Sequence, residues 1–495
     1  MYNLCLAFLK HGTNLMAILQ FSSRIHPSRI AVKDSKNEYT YLQLYRESFS
    51  LAINLQNTFS VNKSSKVALF CKNHCICVKT LFACSRLGAD TTFLNIEMSQ
   101  PQIKRVVQQN NFDFLVCDND FLEKVSDARV NCTIIPCFGR NSGSLENLIR
   151  GGFSNKNRIK RQRSGRINVL TGGTGGQIKI VRRSPSIISL VKPFLALLTN
   201  LDLNKYKSVY IAVPLYHGYG LASLVTSFVL SAKIFLLEKF TTKYSLELVV
   251  ENNIEIAILV PTMLKRMLRQ SPEAMKRLKR ILSGGAALDE TLSSQVIREL
   301  GPVLFNLYGT SEAGFSVLAT PADLQIHPDT IGKIISGVSL KILDESGKKV
   351  KSDQVGVIHI KTSWSMDIMK NRYISTGDMA YANKEGYIFL KGRNDDMIVS
   401  GGENVYPKDV ERVLLKNESI DEVAVIGIKD ESFGERLLAF IVFKPKSIMR
   451  EGAEIEHWLS SRVARYQMPA QFRIIDSLPT TDTGKISKTA LMKMI

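Results

Sequence analysis

The stretch Ile167-Asn168-Val169-Leu170-Thr171-Gly172-Gly173-Thr174-Gly175-Gly176-Gln177-Ile178-Lys179 decides how this chain is read. Ile167 to Leu170 is a short apolar run of strand type. The four glycines after it let the backbone turn tightly and aim several N–H groups at one anion. Thr171 and Thr174 add hydroxyl donors, and Lys179 adds a positive charge. A phosphate-binding loop is the functional reading, and a flexible surface loop is the alternative. No Gly-Lys-Ser/Thr triplet closes the loop, so it is not the P-loop of kinases and GTPases. Nor does it show the strand–turn–helix spacing and downstream acid of a dinucleotide fingerprint.

Outward from this loop, strand runs alternate with helical stretches: Val67 to Phe70, Asp113 to Cys117, Val209 to Val213 and Ile256 to Val260. That alternation predicts an α/β fold with parallel sheets. Gly337 to Ile360, with turns at Glu345-Ser346-Gly347 and Asp353 to Gly356, reads as a smaller β-rich region attached to it. Past Gly392 the pattern restarts, with strands at Val423 to Ile428 and Leu438 to Phe443. Helices are expected at Pro407 to Leu415 and Glu454 to Ala464, the first opening on a proline. The expected architecture is α/β: a large N-terminal domain of layered α/β subdomains plus a small β-rich subdomain, residues 1–392. A small, mobile α+β C-terminal domain, residues 393–495, follows, and the polar, Gly-rich run Arg393 to Asn404 serves as the junction. A chain of 495 residues is too long for one ordinary core.

Sixty-five Lys and Arg against 45 Asp and Glu give a formal net charge of +20. Such a field attracts small anions, nucleic acid or an anionic membrane. The densest run, Lys156 to Arg166, has no interleaved aromatics and no nucleic-acid motif beside it, so a nucleic-acid partner is set aside. Peripheral contact with an anionic membrane stays open, and a monomer or a homodimer both accord with the sequence. Met1 to Leu19 reads as one packed terminal helix and not as a signal peptide. Gly220 to Leu237 carries too many polar residues for a span and reads as a buried helix followed by a strand. Eight cysteines without disulfide spacing point to a reducing, cytoplasmic compartment. Cys71, Cys75 and Cys77 beside His74 match no closed four-ligand pattern and read as packing.

Five further motifs carry chemistry. Pro214-Leu215-Tyr216-His217-Gly218-Tyr219-Gly220 follows a strand, and a lone histidine there is more often a packing residue than a catalyst. Tyr308-Gly309-Thr310-Ser311-Glu312-Ala313-Gly314 offers a ring to stack on a base, hydroxyls for a phosphate, and a carboxylate for Mg²⁺, which favours hard oxygen ligands. Upstream of it lies Gly284-Gly285-Ala286-Ala287. Ser375-Thr376-Gly377-Asp378 supplies a carboxylate able to accept from ribose hydroxyls. Gly392-Arg393-Asn394-Asp395-Asp396-Met397-Ile398 runs on into Ser400-Gly401-Gly402-Glu403-Asn404-Val405. Near the end stands Pro479-Thr480-Thr481-Asp482-Thr483-Gly484-Lys485-Ile486.

In register over nearly the whole chain, these motifs resemble the superfamily of adenylate-forming enzymes. It contains acyl- and aryl-CoA synthetases, peptide-synthetase adenylation domains and firefly luciferase. The family loop usually reads Thr-Ser-Gly-Thr-Thr-Gly-x-Pro-Lys and is thought to clamp the β- and γ-phosphates. Here Gly172, Gly175 and Ile178 depart from it, removing two hydroxyls and loosening the backbone. Thr171, Gly173, Thr174, Gly176 and Lys179 remain. The resemblance implies that Gly285 and Ala286 border adenine and acyl group, and that Tyr308 stacks on adenine. It implies that Thr310 and Ser311 bind the α-phosphate, Glu312 holds Mg²⁺, and Asp378 and Arg393 serve the ribose and phosphates. His217 positions the acid, Asp395 is the hinge, Gly401 and Gly402 pass the pantetheine arm, and Lys485 is the catalytic lysine.

The implied reaction is an ATP-dependent acid–thiol ligation. A carboxylate attacks the α-phosphorus of ATP, pyrophosphate leaves, and a thiol then displaces AMP. Small-domain rotation carries Lys485 into and out of the site. Coenzyme A is the expected acceptor and a carrier protein the alternative. The Tyr216-His217 pair is taken to indicate a medium- or long-chain fatty acid. Aryl and o-succinylbenzoate-type acids are the alternatives, with a degenerate nucleotide-binding relative as the non-enzyme reading. Gly356-Val357 and the short stretch Ile360 to Tyr373 lack family landmarks, which predicts an altered surface near the acyl or domain-contact region.

Overall fold

The computed structural model describes residues 2–139, 143–152, 159–172, 178–181, 187–365, 372–394, 397–400, 403–430, 434–445, 447, 451–463, 467–481 and 485–495. Three sheets organise them. The first has six strands in the order Thr133–Pro136, Phe114–Cys117, Lys66–Phe70, Asp90–Phe93, Ile167–Gly172 and Ile178–Val181. All neighbours are parallel except the last pair, which is antiparallel. The glycine-rich segment therefore connects two antiparallel strands.

The second sheet has thirteen strands, with Glu38–Thr40 antiparallel to Ile30–Lys33 at one edge. Its parallel part runs Ile30–Lys33, Lys233–Leu236, Ser208–Ile211, Ile256–Leu259, Arg280–Gly284 and Leu304–Thr310. Beyond Leu304–Thr310 every neighbour is antiparallel, through Gly314–Ala319, Thr330–Ile334, Ile388–Arg393, Ile374–Ala382, Gly356–Lys361 and Ser339–Leu343. The β-rich region read from Gly337 to Ile360 is thus an extension of the large sheet, with its own small core around Ile342, Ile358, Ile360 and Ile374.

One apolar cluster joins the first two sheets. Its centre is the helix Cys75–Leu87, in which every residue is buried. A helix apolar on all sides belongs between two layers, and Gly88 ends it in the left-handed region at φ +76°. Of the two charges buried within it, Lys79 is neutralised by Glu47 at 2.6 Å and lies 3.3 Å from the ring centroid of Tyr39, and Arg86 donates to backbone carbonyls. The third sheet is built from residues 398 onward: Glu403–Val405, Ile398–Ser400, Gly434–Phe443, Ile420–Asp430 and Gln471–Ile474. One of its faces packs on the helices Pro407–Leu414 and Gly452–Ser460, the other under Leu478 and Leu491.

The expected single helix at the start is two, Tyr2–His11 and Leu15–Ile25. The break falls at Gly12, which holds φ +89° where a Cβ would lie 2.1 Å from the Gln162 carbonyl oxygen. Asn14 caps the second helix by accepting from the Ala17 N–H. Gly218–Val229 and Lys233–Leu236 are the expected buried helix and strand. Among the described residues no helix is long and apolar enough to cross a membrane. Part of the basic run is built in: the carbonyls of Ile159 and Lys160 accept from Arg86.

Cys71, His74, Asp118 and Cys137, all buried, place one ligand atom each within 4.8 Å of one another. The hydrogen bonds nevertheless fix the imidazole against a metal. His74 Nδ1 accepts the Cys77 N–H at 3.2 Å as the cap of helix Cys75–Leu87. Nε2 then carries the ring proton and donates it to Asp118 at 2.7 Å, leaving no lone pair for a cation. The cluster is a satisfied polar network within the core.

Candidate active site

A cleft of about 2110 Å³ opens where the strands Ile256–Leu259, Arg280–Gly284 and Leu304–Thr310 end and the C-terminal sheet faces them. Carboxyl ends of parallel strands are where α/β sheets bind ligands. His217, Gly285, Ala286, Tyr308, Thr310, Ser311, Glu312, Asp378, Arg393 and Lys485 all line it. Ten residues spread over much of the sequence therefore meet in one place.

The turn after Leu304–Thr310 is tight. A Cβ on Gly309 would lie 2.4 Å from the Gly314 carbonyl oxygen, and Gly314 itself holds φ +80°. Thr310 Oγ1 accepts the Ala313 N–H at 3.1 Å, so its lone pair shapes the turn. Thr362 donates to the Ala313 carbonyl at 3.1 Å, and the Trp364 ring N–H donates to the Phe315 carbonyl at 3.1 Å. These two residues, from the stretch without family landmarks, brace the Glu312 turn from behind. Sequence reading passed over them, because only the fold brings Trp364 beside Phe315.

Tyr308 donates its hydroxyl to Asp378 at 2.6 Å. Burial, then the Asp378 charge, holds its pKa well above the ordinary tyrosine value, so the phenol stays protonated and keeps donating. Asp378 and Arg393 are register partners on neighbouring strands. Their side chains stand 3.5 Å apart, and Arg393 also donates to the Thr376 carbonyl at 3.1 Å. Gly377 adopts φ +73° directly under the guanidinium, where a Cβ would sit 2.9 Å from Nη2. The result is a prearranged set of one phenol, one carboxylate and one guanidinium.

His217 caps the helix Gly218–Val229, and its N–H donates to the Pro214 carbonyl at 3.1 Å. Its ring packs against Tyr216 with centroids 4.6 Å apart. Nε2 is buried and has no hydrogen-bond partner among the described residues. Burial, then the charge of Lys485, pushes the His217 pKa down to about 4. The imidazole is therefore neutral near pH 7. Tyr219, quoted above but given no role, donates to the Leu282 carbonyl at 2.8 Å and packs on Gly284. It ties this helix to Gly285, which holds φ +78°.

Lys485 arrives from the C-terminal region on a turn closed by the Thr481 N–H on its carbonyl at 2.7 Å and by the bridge Thr480–Ile486. The residue keeps solvent contact, yet the protein around its ammonium lowers the pKa by desolvation. Asp378 offsets this and Arg393 adds to it. The same lysine thus feels Asp378 and Arg393, and its own charge is felt by His217. Glu312 lines the cleft, partly buried, with no ion pair to another described side chain, and a hard carboxylate oxygen there suits Mg²⁺.

In the glycine-rich loop, Thr171 is the register partner of Lys179, and Gly172 that of Ile178. Gly173, Thr174, Gly175 and Gly176 lie outside the described residues, as do Asp395, Gly401 and Gly402.

Residues 19–368 match the model of the AMP-binding enzyme family, and residues 409–485 match the AMP-binding enzyme C-terminal domain. The chain belongs to the AMP-binding enzyme family. It is an adenylate-forming acid–thiol ligase. An indoleacetate–CoA ligase from Aromatoleum aromaticum is 27% identical, the match covering 95% of this chain and 96% of that protein. A 2-succinylbenzoate–CoA ligase from Staphylococcus aureus is 26% identical over 94% and 97% of the two chains. Among solved structures, o-succinylbenzoate CoA synthetase from Bacillus subtilis, bound to its acyl-adenylate intermediate, superimposes with a TM-score of 0.83. That match has 24% identity over 96% of this chain and 97% of that one. An anthranilate CoA ligase in complex with anthranoyl-AMP gives a TM-score of 0.87 at 22% identity, covering 97% of each chain.

These relatives overturn the expectation of a medium- or long-chain fatty acid and of a place in fatty acid metabolism, because those named for their acid take aromatic ones. The physical reason is local. His217 lines the cleft, but Tyr216 is buried beside it and does not, so the pair carries no measure of the acid's length.

Proposed function

We propose that this protein is an ATP-dependent aryl acid–CoA ligase, with 2-succinylbenzoate the first substrate to test. The observation that carries the reading is the neutral Nε2 of His217, buried and without a hydrogen-bond partner among the described residues, in the cleft that Lys485, Tyr308, Asp378 and Arg393 also line. A carboxylate needs no base near pH 7, so a neutral imidazole suits orientation better than proton transfer. The aryl assignment draws on the relatives named for indoleacetate and 2-succinylbenzoate. ATP, Mg²⁺ and coenzyme A follow from the same relatives, one of which was solved with ATP and magnesium.

In the first half-reaction an acid oxygen attacks the α-phosphorus, the bond to the bridging oxygen breaks, and pyrophosphate leaves. Lys485, Thr310 and Ser311 stabilise the charge that develops on the α-phosphate oxygens. Mg²⁺, held by Glu312, would neutralise charge on the triphosphate. Tyr308 packs on the adenine, while Asp378 and Arg393 hold the ribose and phosphates. In the second half-reaction the coenzyme A sulfur attacks the acyl carbonyl, the thiol proton is released, and AMP departs. Residues 393–495 act here as a unit that delivers Lys485 for the first step.

The test is AMP release from ATP with 2-succinylbenzoate, indoleacetate, anthranilate, benzoate and hexadecanoate, each with and without coenzyme A. The reading expects release with an aryl acid, strongly increased by coenzyme A. A preference for hexadecanoate, or no acid-dependent release, would reject it.

A further inference from the structure

The sheet that carries Lys485 is fastened to the large domain at a point far along the chain from the junction. Helix Pro261–Gln270 follows strand Ile256–Leu259, and its first residues, Pro261 and Thr262, line the cleft. One turn apart on that helix, Lys265 and Arg269 both reach Asp421. Lys265 Nζ stands 3.3 Å from the Asp421 carboxylate and donates to its backbone carbonyl at 2.6 Å, and Arg269 pairs with the same carboxylate. The Asp421 side chain is only 10% exposed.

Asp421 is the extra residue of a β-bulge. Ile420 pairs with Phe443 and Glu422 with Val442, which leaves Asp421 without a register partner on the neighbouring strand. A bulge frees backbone groups from the ladder and re-aims a side chain. Here the freed carbonyl and the re-aimed carboxylate both meet the large domain.

The rest of that strand leads to the catalytic turn. Ala424 and Ile426 pack with Leu438, Phe440, Leu478 and Leu491, and Ile486 lies against this cluster. Ile486 is the neighbour of Lys485, so a rigid strand links the clasp to the lysine. Other ion pairs among the described residues cross the boundary near the junction, Lys391–Asp409 at 2.9 Å and Arg412–Asp329 at 3.5 Å among them. Asp421 supplies an anchor away from them, and a second anchor is what stops rotation about the first.

We propose that Asp421 is a positioning residue for adenylation: held by Lys265 and Arg269, it fixes the C-terminal sheet in the orientation that sets Lys485 in the cleft. This rests on the adenylation reading above. Thioester formation does not use Lys485 in that reading, so the clasp should matter to one half-reaction only.

The experiment compares Asp421→Asn with the unaltered chain in acid-dependent ATP–pyrophosphate exchange and in thioester formation from supplied acyl adenylate. Exchange should fall about tenfold, the scale of a coupled charge pair, while thioester formation holds or rises. In a Lys265→Met, Arg269→Gln background the same substitution should change exchange little, and added salt should slow exchange only where the clasp is intact. Equal loss in both half-reactions, no loss, or additive effects would overturn the role. Independently of turnover, a carbodiimide that condenses carboxylate with amine should join the peptides containing Asp421 and Lys265. Failure to join them rejects the clasp itself. Joining without acid-dependent exchange in the unaltered chain would reject the adenylation reading, and with it this role.

Discussion

Lys485 is held by local bonds, to Thr481 and across the Thr480–Ile486 bridge, but its chemistry is set by desolvation and then by Asp378 and Arg393. Lys485→Ala should therefore lower ATP–pyrophosphate exchange about a hundredfold or more, the loss typical of a group aimed at developing charge. Thioester formation from supplied adenylate should stay within a few-fold. Equal damage to both would remove Lys485 from its proposed role. In the sequence this lysine stood out only through the family resemblance, because a lysine near the chain end otherwise reads as a solvated surface charge. The contacts that such residues make were not legible at all. The Tyr308 hydroxyl meets Asp378 only because the sheet turns antiparallel after Leu304–Thr310 and brings Ile374–Ala382 back alongside.

Elements explain why some motifs have the form they do. Helix Gly218–Val229 starts so close to the preceding turn that a Cβ on Gly220 would lie 2.3 Å from the Pro214 carbonyl oxygen. That carbonyl also accepts the His217 N–H. Gly220→Ala should force the helix and the turn apart, lowering stability by about 1–3 kcal/mol. Because the turn carries His217, the acid KM should rise while the ATP KM stays put. A denaturation midpoint and the two KM values check this, and an unchanged midpoint would mean that the turn has slack. Strand positions were readable from short apolar runs, but pairing was not. Thr171 to Lys179 read as a phosphate-binding loop that follows the strand Ile167 to Leu170. Its flanks pair antiparallel, so Lys179 stands opposite Thr171. Likewise, nothing in Gly337 to Ile360 revealed that those strands would join the large sheet through the pairing of Thr330–Ile334 with Ile388–Arg393.

At the scale of the whole molecule, two histidines, one buried in the two-sheet core and one lining the cleft, make stability depend on pH through their titration. His11 is fully buried, and burial, then Arg86, Lys10 and Arg24, pushes its pKa down to about 3. His217 is held at about 4. In the unfolded chain both return to about 6.5. As the pH falls below that value, the unfolded chain takes up protons that the fold refuses. Stability is then present in full above about pH 6.5 and drains as the pH falls through each folded value. The carboxylates join at lower pH. Burial raises Asp118, but hydrogen bonds led by His74 bring it below its ordinary value, and the Cys75 N–H does the same for Asp34. Their stabilisation is therefore lost only below about pH 4. Each fully shifted histidine contributes a slope of at most about 1.4 kcal/mol per pH unit. Urea midpoints from pH 7 to pH 4 should fall steadily, and His11→Gln should flatten that slope even where it lowers the midpoint at pH 7. A variant whose midpoint falls as steeply as that of the unaltered chain would show that His11 does not drive the acid lability of this fold.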